Sequence, residues 1–223
     1  MNAIISINIP GSAKQQVYDI CAKTQKIYAQ KIGVEYIVIR EINQNPNIIE
    51  DENKHKRDCF YTKLKIFDYF YKYDRILYLD SDVLITQKAG NIFKVYRNDA
   101  AFYGYKLREE KAKKIMAEYP EDNYNVYNGG VMLFDKNCEI GGNEKYFLGY
   151  NDEAYFAYIL RKKGINNESI DRKWNMVRKH SSMRNKFKDG CFLHYCGHGF
   201  CTDREIQKNL KIVIDDYHMY GLK

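Results

Sequence analysis

Proline is scarce, with three residues in 223, and no repeat, low-complexity tract or linker interrupts the chain. No stretch reaches the ~18 continuous apolar residues of a membrane span. The first residues lack a basic region, a long apolar run and a small-residue cleavage site, so no signal peptide is expected and the expected location is cytoplasmic. Six cysteines (Cys21, Cys59, Cys138, Cys191, Cys196 and Cys201) are too scattered to force a disulfide framework, and reduced thiols fit that location. An acidic excess is also missing: 36 Lys and Arg face 29 Asp and Glu, a net charge of +7. A basic surface can attract nucleic acid or anionic lipid. Here the lysines are dispersed, and the densest run, Arg108 with Lys111, Lys113 and Lys114, is broken by Glu109 and Glu110. Nucleic acid is therefore not an expected partner. What is present is a globular balance, 45% hydrophobic and 29% charged, in a length most simply read as one domain over residues 1–223.

Residues 3–9 read as a buried strand ended by Pro10-Gly11. Ser12 with Gln15 forms a capping-box pattern. Val17, Ile20, Cys21, Thr24, Ile27 and Tyr28 then recur at helical spacing until Gly33, and Val34 to Ile39 is a second apolar strand. This β-α-β opening predicts a parallel pair with a right-handed crossover. After a polar, irregular stretch from Asn43 to Lys56, the spacing of Phe60, Leu64, Phe67 and Tyr71 predicts a helix from Arg57. A charged helix over about Leu107 to Tyr119, a strand over Gly129 to Phe134 and a helix over Asn151 to Lys163 follow. The tail beyond Arg204 reads as a helix that gives way to polar coil. Alternating strands and helices predict an α/β fold with a mostly parallel central sheet flanked by helices.

The most informative stretch is Ile76-Leu77-Tyr78-Leu79 running into Asp80-Ser81-Asp82. Open parallel sheets bind ligands beyond the carboxyl ends of their strands. Two carboxylates delivered there suit Mg²⁺ or Mn²⁺, which take carboxylate, water and phosphate oxygens. The competing reading is a solvated strand-to-loop turn. Downstream, Asn128-Gly129-Gly130 opens a strand with an amide that can both donate and accept and with close backbone access for a ligand, or is an ordinary turn. Asp152 and Glu153 fall in the first turn of a helix, where acids also simply complement the dipole. Cys191, His194, Cys196, His198 and Cys201 cluster densely, but their spacing fits no paired zinc pattern.

Together these segments resemble the GT-A nucleotide-sugar glycosyltransferases of family 8, the glycogenin and lipopolysaccharide galactosyltransferase group. The resemblance is carried by the β-α-β start, by Tyr61 and Lys63 ahead of the Asp80-Ser81-Asp82 strand, and by Tyr127 to Phe134. Asn151 to Phe156 with Trp174-Asn175, and Phe192 to Gly197, complete it. It implies a Rossmann-like GT-A fold and metal-dependent transfer, with retention, from a UDP-sugar to a glycan or glycosylated protein acceptor. It implies that Asp80, Asp82 and His194 hold Mn²⁺ or Mg²⁺. It further implies that Ile7, Asn8, Lys63, Ser81, Asn128, Gly129, Gly197 and His198 bind the donor. Asp152 would bind the sugar or acceptor, and Glu153 would stabilise charge at the anomeric carbon or act as nucleophile. The family's phosphate-contacting Lys falls at Phe200, which leaves His198 or Arg204 to take that contact. Two other classes compete: a sugar-binding module without turnover, and a haloacid-dehalogenase-like phosphatase, which also places two Asp one residue apart after an apolar strand.

Overall fold

The computed structural model describes residues 1–42, 58, 61–97, 99–117, 124–138, 140, 152–177, 187–196 and 203–223, with only the backbone described over 203–209. The chain opens with β1 (Asn2–Ile7), α1 (Gln15–Ile32) and β2 (Glu35–Ile39), then a 3₁₀ helix (Thr62–Tyr71) leads into β3 (Arg75–Asp80). Next come β4 (Val83–Ile85), α2 (Ile92–Val95), β5 (Phe102–Lys106), α3 (Glu109–Ile115) and β6 (Tyr127–Asp135). The remainder is α4 (Asp152–Lys162), β7 (Asn167–Ser169), a 3₁₀ turn (Arg172–Trp174), β8 (Met176–Val177), β9 (Phe192–His194) and α5 (Asp203–Tyr220).

Six strands form one sheet in the order β2-β1-β3-β6-β5-β7, and β4-β9-β8 form a second, smaller one. β1 pairs parallel with both β2 and β3, as the opening β-α-β pattern requires. Among the described strands of the large sheet only β6 runs against its neighbours, antiparallel to β3 and β5. All nine residues of β6 are buried, as a strand covered on both faces should be. The alternation along β3 separates two cores. Ile76 and Tyr78 pack with Leu64, Ile66 and Phe156 beneath the 3₁₀ helix and α4. Leu77 and Leu79 pack with Tyr28, Trp174 and Phe192 beneath α1 and the small sheet.

Several local expectations are corrected. β1 stops at Ile7, and the turn beyond it uses Gly11 at φ 91°. Ser12 Oγ accepts from the Lys14 amide, while the Gln15 side chain reaches Asn8 and Asp19, so the capping box does not form. Gly33 closes α1 at φ 71°, where a residue with a Cβ would be strained. The segment ahead of β3 winds as a 3₁₀ helix, which aligns residues three apart. Leu64, Phe67 and Phe70 therefore face the core, and Tyr71, expected in that stripe, is 85% exposed. The tail is helical to Tyr220 rather than coil: Ile212 and Val213 pack against Val17 and Cys21 of α1. Leu222 then donates its amide to Ile85.

Candidate active site

Ile7 lies beside Asp80 in the parallel register, so β1 and β3 end together. Beyond those ends lies a cavity of about 470 Å³ lined by Ile7, Tyr18, Lys63, Asp80, Ser81 and Asp82, among others. A larger hollow of about 740 Å³ lies at the opposite strand ends, around Asp74 and Arg75. The strand-end rule for parallel sheets favours the smaller one, where the carboxylates are.

The turn carrying Asp80 and Asp82 is held from α1. The fully buried Gln25 donates through Nε2 to the carbonyls of Asp80 (3.0 Å) and Val83 (2.9 Å), and Tyr36 donates to its Oε1. Sequence reasoning missed this residue. Its signal was a polar side chain inside the apolar stripe of α1, between Thr24 and Tyr28.

His194, far beyond Asp82 in sequence, arrives through strand register. β9 pairs antiparallel with β4 so that His194 faces Val83, and the Tyr195 amide donates to the Asp82 carbonyl. The His194 Nε2 then sits 3.3 Å from Asp82 Oδ1 and 3.7 Å from Asp80 Oδ2. That nitrogen is buried and has no hydrogen-bond partner. One ligand atom from each of the three residues lies within 4.8 Å of the others. An orphaned imidazole nitrogen aimed at two carboxylates is a donor set that fits a divalent cation. Burial disfavours charge on Asp82, yet His194 beside it holds its carboxyl below the usual range. Burial likewise opposes charge on His194, but Cys196 and Asp82 raise its pKa well above the ordinary value. Tyr18, facing the same space, is pushed up to about 12 by burial and by Asp82.

A second set of charges adjoins the first. The Lys63 ammonium is buried between Asp152 Oδ2 (2.5 Å) and Asp80 Oδ1 (3.1 Å), and it also donates to the Gly129 carbonyl. Burial opposes its charge, but Asp152 and Asp80 raise its pKa well above the usual value. Tyr78 donates to Asp80 Oδ1 at 2.6 Å, and the Lys63 ammonium sits over its ring. Glu153, next to Asp152 at the start of α4, accepts from Asn128 Nδ2 (2.8 Å) and from the Gly129 amide (3.3 Å). Burial and then the Asp152 charge push its carboxyl above the usual range.

The paired glycines have a specific use. A Cβ on Gly129 would stand 2.6 Å from Asp152 Oδ2, and one on Gly130 would stand 2.0 Å from His194 Cε1. The close approach expected of them is made to these two side chains.

Ile7, Lys63, Asp80, Ser81 and Asp82 thus share one cavity, with His194 against both Asp residues. Asn128, Gly129, Asp152 and Glu153 gather around Lys63 and the start of β6. Asn8 is buried and accepts from Gln15 Nε2 at 3.2 Å. Gly197, His198 and Phe200 lie outside the described residues, as do Arg57, Cys59 and Cys201. Among the described residues no cysteine joins the metal-binding group: Cys191 Sγ points to the Lys88 carbonyl, and Cys196 lies beside His194.

The decisive observation on kinship is a match between residues 3–138 and the family model described as "Glycosyl transferase family 8". The chain belongs to glycosyltransferase family 8. The matched segment carries Lys63, the Asp pair and Asn128 to Gly130, while Asp152, Asn175 and His194 lie beyond it. A search of curated proteins by sequence finds no match. Solved structures share its fold. A glycosyltransferase involved in glycosylation of the major capsid of PBCV-1 aligns over 95% of this chain and 98% of its own (TM-score 0.62, 16% identity). The galactosyltransferase LgtC, solved with donor and acceptor sugar analogs, aligns over 100% and 97% (0.62, 15%). Mouse xyloside xylosyltransferase 1 aligns over 89% and 98% (0.53, 10%). The chain is a glycosyltransferase with a GT-A fold, and the phosphatase alternative falls. Among the described residues no helix is long and apolar enough to cross a membrane.

Proposed function

We propose that this family 8 member transfers a sugar from a UDP-sugar to a glycan or glycosylated protein, with retention, in a reaction that requires Mn²⁺ or Mg²⁺. The whole of residues 1–223 serves this as one unit. The observation that carries the reading is the buried, unpartnered His194 Nε2 facing Asp80 and Asp82, both of which line the strand-end cavity.

Asp80, Asp82 and His194 would hold the cation. When bound, it supplies Lewis-acid stabilisation of the departing diphosphate, worth several kcal/mol. Ile7, Asn8 and Ser81 bound the nucleotide end. Lys63 keeps a buried positive charge beside Asp80, where the donor's phosphates would lie. Asp152 is the counter-ion that keeps Lys63 there, and its neighbour Glu153 is left as the carboxylate for the sugar side. Held by Asn128 and the Gly129 amide, Glu153 is oriented to face positive charge developing at the anomeric carbon. Gly197 and His198 follow His194 directly and would reach the diphosphate from the same loop.

The test is UDP release from a panel of UDP-sugars, with Mn²⁺ or with EDTA, in the native chain and in Asp82→Asn. Release should need the metal, and Asp82→Asn should lower it at least ~100-fold while far-ultraviolet circular dichroism shows the fold retained. Full release in excess chelator, or in the variant, overturns the metal-dependent reading.

A further inference from the structure

Behind His194 runs a file of buried hydrogen bonds whose direction is set by one backbone amide. The Gly130 N–H can only donate, and it reaches Asn128 Oδ1 at 3.3 Å. Asn128 therefore shows its oxygen on that side and turns its NH₂ to Glu153 Oε1. The same Oδ1 lies 2.8 Å from Asn175, which must present its own NH₂ there. The Asn175 oxygen is left facing His194 Nδ1 at 3.0 Å. The two ends of an amide are told apart by their partners, and here the backbone donor decides for both side chains. His194 consequently carries a proton on Nδ1, and Nε2 is the nitrogen turned toward Asp80 and Asp82.

We infer that Asn175, fully buried between the 3₁₀ turn and β8, is a positioning residue for transfer. Its oxygen fixes the ring orientation of His194 with Nε2 toward the metal position. Its NH₂ holds Asn128, which in turn orients Glu153. One amide thus sets the cation side and the sugar side of the site together. A metal-ligating imidazole needs a hydrogen-bond partner on its other nitrogen, and removing such a partner typically costs about 10–100-fold in metal affinity or activity. An amide that merely satisfied the core would change stability and leave metal affinity alone. This inference rests on the metal-dependent function proposed above.

The two fail separately in one experiment: Mn²⁺ titration of the full chain, followed by the spin-resonance signal of free ion. No Mn²⁺ binding by the unaltered chain overturns the proposed function and this inference with it. If the unaltered chain binds, Asn175→Ala should bind at least ~10-fold more weakly. Asn175→Asp keeps the acceptor for Nδ1–H but cannot donate to Asn128. It should restore Mn²⁺ affinity to within ~3-fold while UDP-sugar turnover stays down at least ~10-fold. Equal Mn²⁺ affinity in Asn175→Ala and the unaltered chain overturns the inference, as does full turnover in Asn175→Asp. Should Asn175→Ala not fold, proton–nitrogen correlation spectra of the unaltered chain loaded with diamagnetic Zn²⁺ still decide. A His194 proton on Nδ1 supports the assignment, and a proton on Nε2 overturns it.

Discussion

A single methyl group at Gly130 would collide with the His194 ring, since a Cβ there would stand 2.0 Å from Cε1. Gly130→Ala is expected to displace that ring and to abolish the rise in melting temperature that the proposed function predicts for the native chain with Mn²⁺. Glu153 offers a test through pH. Its folded pKa is raised by burial and then by Asp152, above the ordinary 4.5. The folded state therefore binds this proton more readily than the unfolded one, so ionised Glu153 costs stability at neutral pH and the cost vanishes as pH falls. Glu153→Gln should melt higher than the native chain at about pH 7.5, with the gain gone near about pH 4. At this scale the sequence was most readable where chemistry coincided with pattern. Asp80 and Asp82 stood out because an apolar strand delivered them. His194 was reached through resemblance, because no local spacing links it to residues so far ahead of it in the chain. Asn175 entered only within a segment that carries the resemblance, with no role attached, and Gln25 was not legible as a site residue. A buried amide has no periodicity of its own, and its importance lies in partners remote in sequence.

Helices and strands matter here mainly for what they pin. α1 reaches across with Gln25 to hold the carbonyls on both sides of the Ser81-Asp82 step. Gln25→Leu would leave those acceptors without that donor, at a cost of about 1–3 kcal/mol. Calorimetry should show this loss together with weaker Mn²⁺ binding, because the turn presenting both Asp residues would relax. The 3₁₀ helix and α4 are joined by Lys63 and Asp152, whose side chains are 8% and 9% exposed. Removing one charge strands the other in a buried setting, so Lys63→Met should lose about 3–5 kcal/mol in denaturant melts. The double change Lys63→Met with Asp152→Leu should be less destabilised than Lys63→Met alone. The winding ahead of β3 and the length of the tail helix were misjudged for related reasons. Helical spacing on paper does not distinguish an α-helical winding from the tighter 3₁₀ one, which is why Phe70 rather than Tyr71 faces the core. The tail's apolar positions, Ile212 and Val213, acquire meaning only once α1 is there to cover them.

Across the whole molecule, the α/β order and the parallel opening were readable because each βα step is local, whereas the reversal of β6 and the second sheet depend on pairings between distant segments. The family-matched stretch, residues 3–138, holds five strands of the large sheet but neither β9 nor α4. A chain ended at Cys138 would leave β4 without its partner and Lys63 without Asp152, and its thermal melt should lose cooperativity. The seam between the sheets has a mechanical consequence. Asp80 terminates a strand of the large sheet, whereas Asp82 leads into β4 and His194 ends β9 of the small one. An ion gripped by all three would act as a rivet through two plates already joined by the packing of Leu77 and Leu79 against Phe192 and by the Asn175–Asn128 hydrogen bond. Backbone amides of β8 and β9 should therefore exchange hydrogen for deuterium more slowly when Mg²⁺ is added, while those of β1 and β2 keep their pace. The small sheet would then loosen whenever the rivet is drawn, making the stiffness of one plate a gauge of what the site holds.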